Sequence, residues 1–433
     1  MNSVAFHTLG CKVNQYETEA MEEMFEKNGY RVVGEDDYSD IYVINTCTVT
    51  NLSDRKSRQF IRKSKKNNPG AIVAVVGCYS QVSPEEVETI EGVDVIIGTS
   101  ERNRIVELCE EAERTKRRIN IVRPVKTYKK FEKINIDDLK SRTRAFVKIQ
   151  DGCNQFCSYC IIPYARGPIR SREFGDIEQE VRKLASAGFK EVVLTGIHVA
   201  SYGKDLKRES LGEVIDKISL IEGIERIRLS SLEPTLIDRD FMEIMTKSPK
   251  ICDHFHLSLQ SGSDTVLERM NRKYTTEEYR EKVRLIREYL PDAGITTDII
   301  VGFPGETEQE FQETVRFVEE IGFSRIHVFK YSPRKGTPAA TMDNQVHGEV
   351  KNIRSELLIA LGDRLSEEFN GKYIENPKDV LYEEHTKRDL NVYEGYTSNY
   401  IRVRTPSQYD IIGEIRDTRL KAAKGSFIEG TLI

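Results

Sequence analysis

Residues 151–160 read DGCNQFCSYC, and this stretch decides how the rest of the chain is read. Cys153, Cys157 and Cys160 lie within eight residues at C-x3-C-x2-C spacing, directly after a β-branched run at 145–149 that reads as a strand. Three thiolates so close can wrap one metal centre. A structural zinc site wants four ligands, and this loop has no fourth Cys or His. Packing does not explain three cysteines among Asn, Gln, Ser and Gly. Downstream, strand patterns recur at 191–195, 225–230, 255–260, 297–301 and 326–331, with helical patterns such as 177–187 and 308–321 between them. Six βα units of roughly 30–40 residues point to a partial or full parallel barrel, which carries its chemistry on the loops after its strands. A long charged helix, 348–369, leads out of it.

Upstream, residues 1–115 alternate strands (3–8, 31–33, 41–45, 72–77, 93–97) with helices (16–28, 53–66, 84–90, 102–113). This predicts an open, mostly parallel α/β sheet. Cys11, Cys47 and Cys78 each stand just past the carboxyl end of one of these strands, the edge where such sheets gather ligands. Any one alone reads as a small buried hydrophobe; three at equivalent ends point to a shared metal centre. A flavin or nucleotide would use the same edge, but no glycine-rich phosphate loop appears there. The link at 114–133 holds nine Lys or Arg against one acid, Glu132, and reads as a mobile connection or a poorly ordered strand pair. After residue 371 come short alternating runs at 378–383, 400–404, 411–416 and 427–431, the pattern of a small antiparallel, OB-like barrel. The expected fold class is therefore α/β in three units: 1–115, 140–370 and 371–433.

A length of 433 residues suits about three domains. Eight cysteines are too dilute for a disulfide scaffold. Cys109 and Cys252 fit no motif and read as packing residues. No apolar run approaches the ~18 residues of a membrane span, and the start lacks a basic leader with an apolar core. The expectation is a cytoplasmic protein with no membrane partner. A net charge of -5 excludes a uniformly basic protein but not a local basic patch.

The DGCNQFCSYC loop at the head of a βα barrel resembles the radical S-adenosylmethionine (SAM) superfamily. There, three cysteines hold a 4Fe–4S cluster whose open iron chelates SAM, and an electron from the cluster cleaves SAM to a 5′-deoxyadenosyl radical. With Cys11, Cys47 and Cys78 and the terminal barrel, the whole chain is similar to the methylthiotransferases. Further strings of that kind are QDGCNQFCSYCIIPYARGPIRSR, LTGIHVASYG, SSLEP, HLSLQSGSD, IVGFPGETE and FKYSPRKGTPAA. The resemblance implies two 4Fe–4S clusters, SAM and a C-terminal TRAM domain. One cluster generates the radical and the other delivers sulfur. It also implies that Tyr159 packs near the SAM adenine, that Thr195 and Gly196 receive the SAM amino group, and that Ser231 and Glu233 meet the ribose. Gln260 and Ser261 are placed to reach the same ligand. For Gly302, Pro304 and Glu306, which follow the fifth strand, an ordinary turn weighs equally; Arg166 and Arg170 read as contacts to the SAM carboxylate or a substrate phosphate, or equally as a structural ion pair.

For the substrate, the family offers a tRNA adenosine beside the anticodon or a ribosomal-protein aspartate. Arg55, Lys56, Arg58, Arg62, Lys63, Lys65 and Lys66 form an acid-free basic run just after Cys47, able to neutralise phosphates, or simply a solvated helix face. Arg402 and Arg404 lie at strand spacing and would project from one face of the terminal barrel, whose ten basic and ten acidic residues balance. HTLGCKVNQYETEAM, around Cys11, resembles the subgroup acting on N6-threonylcarbamoyladenosine in tRNA. The alternatives are isopentenyladenosine in tRNA, the ribosomal protein, or a non-catalytic iron–sulfur or zinc RNA-binding protein. The reaction also needs an electron donor and a sulfur source, which no motif identifies.

Overall fold

The computed structural model describes residues 2–134, 136 and 143–433; the expected limits at residues 1 and 140 lie outside them. The amino-terminal sheet contains β1 (Ser3–Thr8), β2 (Arg31–Val33), β3 (Ile41–Thr46), β4 (Ile72–Gly77), β5 (Val95–Ile96) and β6 (Ile119–Asn120). They run parallel in the order β2-β1-β3-β4-β5-β6. Val4, Val43, Ala74 and Val76 pack on Met21 and Phe25 on one face, whereas Ala5, Tyr42, Val73 and Val75 pack on Ile61 and Val87 on the other. Both faces are covered, as a parallel sheet requires. Part of the connection at 114–133 is therefore not loose: β6 completes this sheet.

The central unit runs β7 (Arg144–Asp151), β9 (Glu191–Gly196), β10 (Arg226–Leu229), β11 (His254–His256), β12 (Gly294–Val301) and β13 (Arg325–Lys330), with β8 (Arg170–Ser171) antiparallel on β7. β10 and β11 meet through two isolated parallel bridges, Ile227 with Ile251 and Leu232 with Leu257. No pairing joins β13 to β7 among the described residues, so the barrel is partial. Helix Lys12–Lys27 covers part of the inner face of β7 and β9. Its Tyr16 and Ala20 pack on Phe146 and Val193, while Met21 and Phe25 belong to the amino-terminal core. One helix thus serves two cores. It starts four residues before the expected 16, with Cys11 as its N-cap.

The carboxyl-terminal barrel is closed: β14 (Pro377–His385), β15 (Val392–Thr397), β16 (Arg402–Pro406), β18 (Phe427–Leu432) and β17 (Ile415–Lys424), in that spatial order. Sequence reading omits β15, and the β16–β18 pair is parallel rather than antiparallel. The turn after β15 closes the floor of the central barrel, where its strands begin. Arg226 donates to the carbonyl of Tyr396 at 2.9 Å, and Arg228 to that of Ser398 at 2.8 Å. Tyr400, in left-handed backbone at φ 71, stacks on His254 with ring centres 4.4 Å apart. A Cβ on Gly294 would meet the Asn399 carbonyl oxygen at 2.1 Å. Gly294→Ala should therefore cost about 1–3 kcal/mol as an overpacked contact. Limited proteolysis should then release residues 371–433 faster than from the unaltered chain; equal rates would contradict this docking.

Candidate functional site

The two cysteine triads gather at carboxyl ends of parallel strands. Cys11, Cys47 and Cys78 follow β1, β3 and β4, which are neighbours in the sheet. Gly10 and Gly77 sit immediately before two of them at φ 107 and φ 99. A Cβ on Gly10 would lie 2.8 Å from Cys47 Cβ, and one on Gly77 would lie 2.7 Å from the Thr46 carbonyl oxygen. These glycines let the loops close on each other. Asn14 ties the loops together, donating to the Leu9 carbonyl at 2.7 Å and the Thr46 carbonyl at 2.9 Å.

Cys153, Cys157 and Cys160 leave β7 through Gly152, at φ 75, where a Cβ would meet the Pro168 carbonyl oxygen at 1.9 Å. Phe156 is also left-handed, at φ 48, with its carbonyl held by Asn271 Nδ2 at 3.0 Å. That turn carries all three cysteines on one short loop after β7. Val49 and Thr50, just after Cys47, line a cavity of about 190 Å³ together with Tyr159, Cys160, Gln260, Asp298 and Tyr331. The loops of both triads therefore border one space. A larger groove of about 830 Å³ is lined wholly by the terminal barrel and holds none of the thiols.

The donor set suits anionic iron–sulfur centres. Burial pushes the bare thiols of Cys78 and Cys160 up to about 12 and that of Cys153 to about 11, so the thiolate state needs a compensating cation. N–H groups already point at three of the sulfurs. Arg166 Nε lies 3.4 Å from Cys78 Sγ, Arg272 NH1 lies 3.3 Å from Cys157 Sγ, and the Gln155 amide lies 3.5 Å from Cys153 Sγ. No three His, Cys, Asp or Glu side chains among the described residues stand close enough to share a single ion.

Other expected residues separate into those at the cavity and those engaged elsewhere. Tyr159 and Gln260 line it, Gln260 in left-handed backbone at φ 71. Thr195 and Gly196 end β9, with Thr195 buried. Ser231 is exposed just beyond β10, whereas Glu233 is buried, 2.8 Å from Arg272 NH2 and 3.4 Å from His198 Nε2. Burial would raise the Glu233 pKa, but the His198 hydrogen bond and the Arg272 charge outweigh it and hold the group below its usual range.

Ser261 instead faces Thr314 Oγ1 at 3.3 Å, and Glu306 pairs with Arg354 at 2.6 Å, both in the packing behind the barrel. Arg166 and Arg170 also take the structural alternative. Arg166 is fully buried on Glu17, and Arg170 donates to the carbonyls of Arg166 and Pro168. Cys109 and Cys252 are buried, Cys109 within the amino-terminal core.

On helix Asn51–Asn67, Arg55, Lys56 and Arg62 are exposed, whereas Arg58 pairs with Glu86 at 3.0 Å. Arg402 and Arg404 do share a face, but both meet Glu394, at 3.4 and 2.7 Å. The patch there is a paired one. Sequence reading missed Arg272, His198 and the exposed pair Phe156 and Tyr164, whose rings meet edge-on at 5.9 Å. An aromatic inside a polar cysteine loop was the available signal for Phe156; nothing local marked Arg272.

Comparison with known proteins adds to this geometry. The profile described as Radical SAM superfamily matches residues 147–318, and that described as Uncharacterized protein family UPF0004 matches residues 3–98. The chain is 43% identical to a Bacillus subtilis protein named threonylcarbamoyladenosine tRNA methylthiotransferase MtaB, over 100% of this chain and 97% of that one. It is 36% identical to the Thermotoga maritima protein of the same name, over 98% and 95%. A Bacillus subtilis tRNA-2-methylthio-N(6)-dimethylallyladenosine synthase is 37% identical, over 98% and 85%. Among solved structures, the radical SAM methyltransferase TsrM from Kitasatospora setae, with cobalamin and a [4Fe-4S] cluster bound, superposes with a TM-score of 0.59. It covers 78% of this chain and 76% of its own at 16% identity, a likeness of fold.

Proposed function

Because the chain belongs to the radical SAM methylthiotransferase family, we propose that it inserts a methylthio group at carbon 2 of N6-threonylcarbamoyladenosine, next to the anticodon of tRNA. The observation that supports this is one cavity bordered by Cys160 of the first triad and by Val49 and Thr50, just after Cys47 of the second, in a chain that matches the MtaB proteins from end to end. The enzyme uses SAM and 4Fe–4S clusters. Cys153, Cys157 and Cys160 would hold a first cluster, which would supply the electron for cleavage of SAM, and Cys11, Cys47 and Cys78 would hold a second, which would supply sulfur.

The chain's own residues bind and orient. Tyr159 offers its ring to the adenine of SAM, and Thr195 with Gly196 offers the end of β9 to the amino group. Glu233, fixed by Arg272 and His198, would accept hydrogen bonds from ribose hydroxyls, and Ser231 and Gln260 would reach the same ligand. Phe303, Tyr331, Met270 and Val266 pack behind Tyr159 and exclude water from that side. Arg55, Lys56, Arg58 and Arg62 approach tRNA phosphates, and Arg402 and Arg404 mark the RNA face of the terminal barrel. The exposed rings of Phe156 and Tyr164 offer bases a stacking surface.

The tRNA partner follows from the family. Among the described residues no helix is long and apolar enough to cross a membrane, and the proposed compartment is the cytoplasm, where tRNA is modified. Mass spectrometry of tRNA nucleosides from a deletion strain tests the substrate. The methylthio-threonylcarbamoyl nucleoside should disappear while the methylthio-isopentenyl nucleoside persists. The reverse pattern would assign the isopentenyl substrate, and no change in either would remove tRNA adenosine as the target.

A further inference from the structure

The segment that carries one cysteine triad also touches the other. Arg166 stands six residues after Cys160, on helix Ile162–Arg166, and its Nε points at Cys78 Sγ from 3.4 Å. Its guanidinium is wholly buried and held by acceptors on both remaining nitrogens. NH1 meets Glu17 Oε1 at 2.5 Å; NH2 meets Asn14 Oδ1 at 2.6 Å and Glu17 Oε2 at 3.0 Å. With those positions fixed, the Nε–H is left for the sulfur. Asn14 is the residue that clamps the loops of Cys11 and Cys47, so one polar node connects all three auxiliary thiols to the radical SAM domain.

The charge around this node does not balance by itself. Among the described residues, Arg102, Lys148, Arg166 and Arg170 face Glu17, Asp151 and Glu132, which leaves one more cation than anion in this buried network. A buried uncompensated charge is costly. A thiolate-ligated iron–sulfur cluster is anionic and becomes more so on reduction, so it would supply the missing partner beside Arg166.

We propose that Arg166 is a positioning residue for the auxiliary cluster, and that its N–H···S bond to Cys78 raises that cluster's reduction potential. Hydrogen bonds to cluster sulfurs and nearby positive charge favour the reduced, more negative state. The inference rests on the reading that Cys11, Cys47 and Cys78 hold a cluster.

The test uses the full chain with Cys153, Cys157 and Cys160 changed to alanine and reconstituted anaerobically with iron and sulfide, so that only the auxiliary site is loaded. Redox titration followed by electron paramagnetic resonance reads its midpoint. Arg166→Gln should lower the reduced-to-oxidised ratio about tenfold at the parent midpoint, a shift of about 59 mV for one electron. Arg166→Lys, which keeps the charge and loses the directed Nε–H, should recover part of that shift. Should the glutamine variant fail to fold, the lysine variant carries the test, with its midpoint expected below the parent's. A midpoint equal to the parent's in a variant that retains its iron overturns the proposal. Absence of iron from the parent protein would instead overturn the reading of the auxiliary triad.

Discussion

Alanine at Cys153, Cys157 and Cys160 together should abolish cleavage of SAM to 5′-deoxyadenosine, while alanine at Cys11, Cys47 and Cys78 should leave that cleavage and stop sulfur insertion. The structure gives the reason for separate effects. The first triad lies on one loop beside Tyr159 and Gln260, and the second is built from three strand ends of another sheet. Either set can lose its thiols while the other keeps its backbone support. Each triple variant should retain half of the iron of the parent. Anaerobic assays of 5′-deoxyadenosine and of methylthiolated tRNA check the division. Loss of both activities in a folded protein with half its iron would contradict it.

The second large effect concerns stability. Glu17 lies fully buried between the domains, on helix Lys12–Lys27, with Arg102 at 3.0 Å, Lys148 at 2.7 Å and Arg166 at 2.5 Å. Burial alone would raise its pKa; Arg102, Arg166 and Lys148 outweigh that and bring it down from 4.5 to about 2. A carboxylate lowered in the folded state stabilises the protein above its unfolded pKa, and the contribution is lost as pH falls through the folded one. The urea midpoint should therefore decline between about pH 4.5 and about pH 2. Glu17→Gln removes the carboxylate shared by three buried cations, leaving them only Glu132 and Asp151, and should cost about 3–5 kcal/mol at neutral pH. The same variant should show a shallower acid decline. Matching urea midpoints for variant and parent at pH 7 would show that the network contributes nothing.

Much of this was legible along the chain because the signals are local. Runs of β-branched residues ended in Gly-Cys or Thr-Cys, and the ends of β1, β3 and β4 fell within one residue of expectation. β15 escaped because VYEGYT breaks the alternation of a strand. Its Glu394 is buried against Arg404, and its Gly395 sits where a Cβ would meet the Leu381 carbonyl oxygen at 2.3 Å. The start of helix Lys12–Lys27 escaped because Asn14 and Gln15 look like loop residues until Asn14 is seen clamping two loops. Arg166 could not be assigned from its neighbours. Its partners, Asn14, Glu17, Asp151 and Cys78, come from three separate regions of sequence, and only the docking of the domains brings them together.

The turn that fills the floor of the central barrel has a consequence for how a large substrate is measured. Arg226, Arg228 and His254 hold residues 396–400 from the strands' own starting ends, so the terminal module cannot swing on a tether. Whatever it grips is kept at a set span from the reacting carbon. A ligand that touched both the terminal barrel and the cavity would have to bridge that one fixed span.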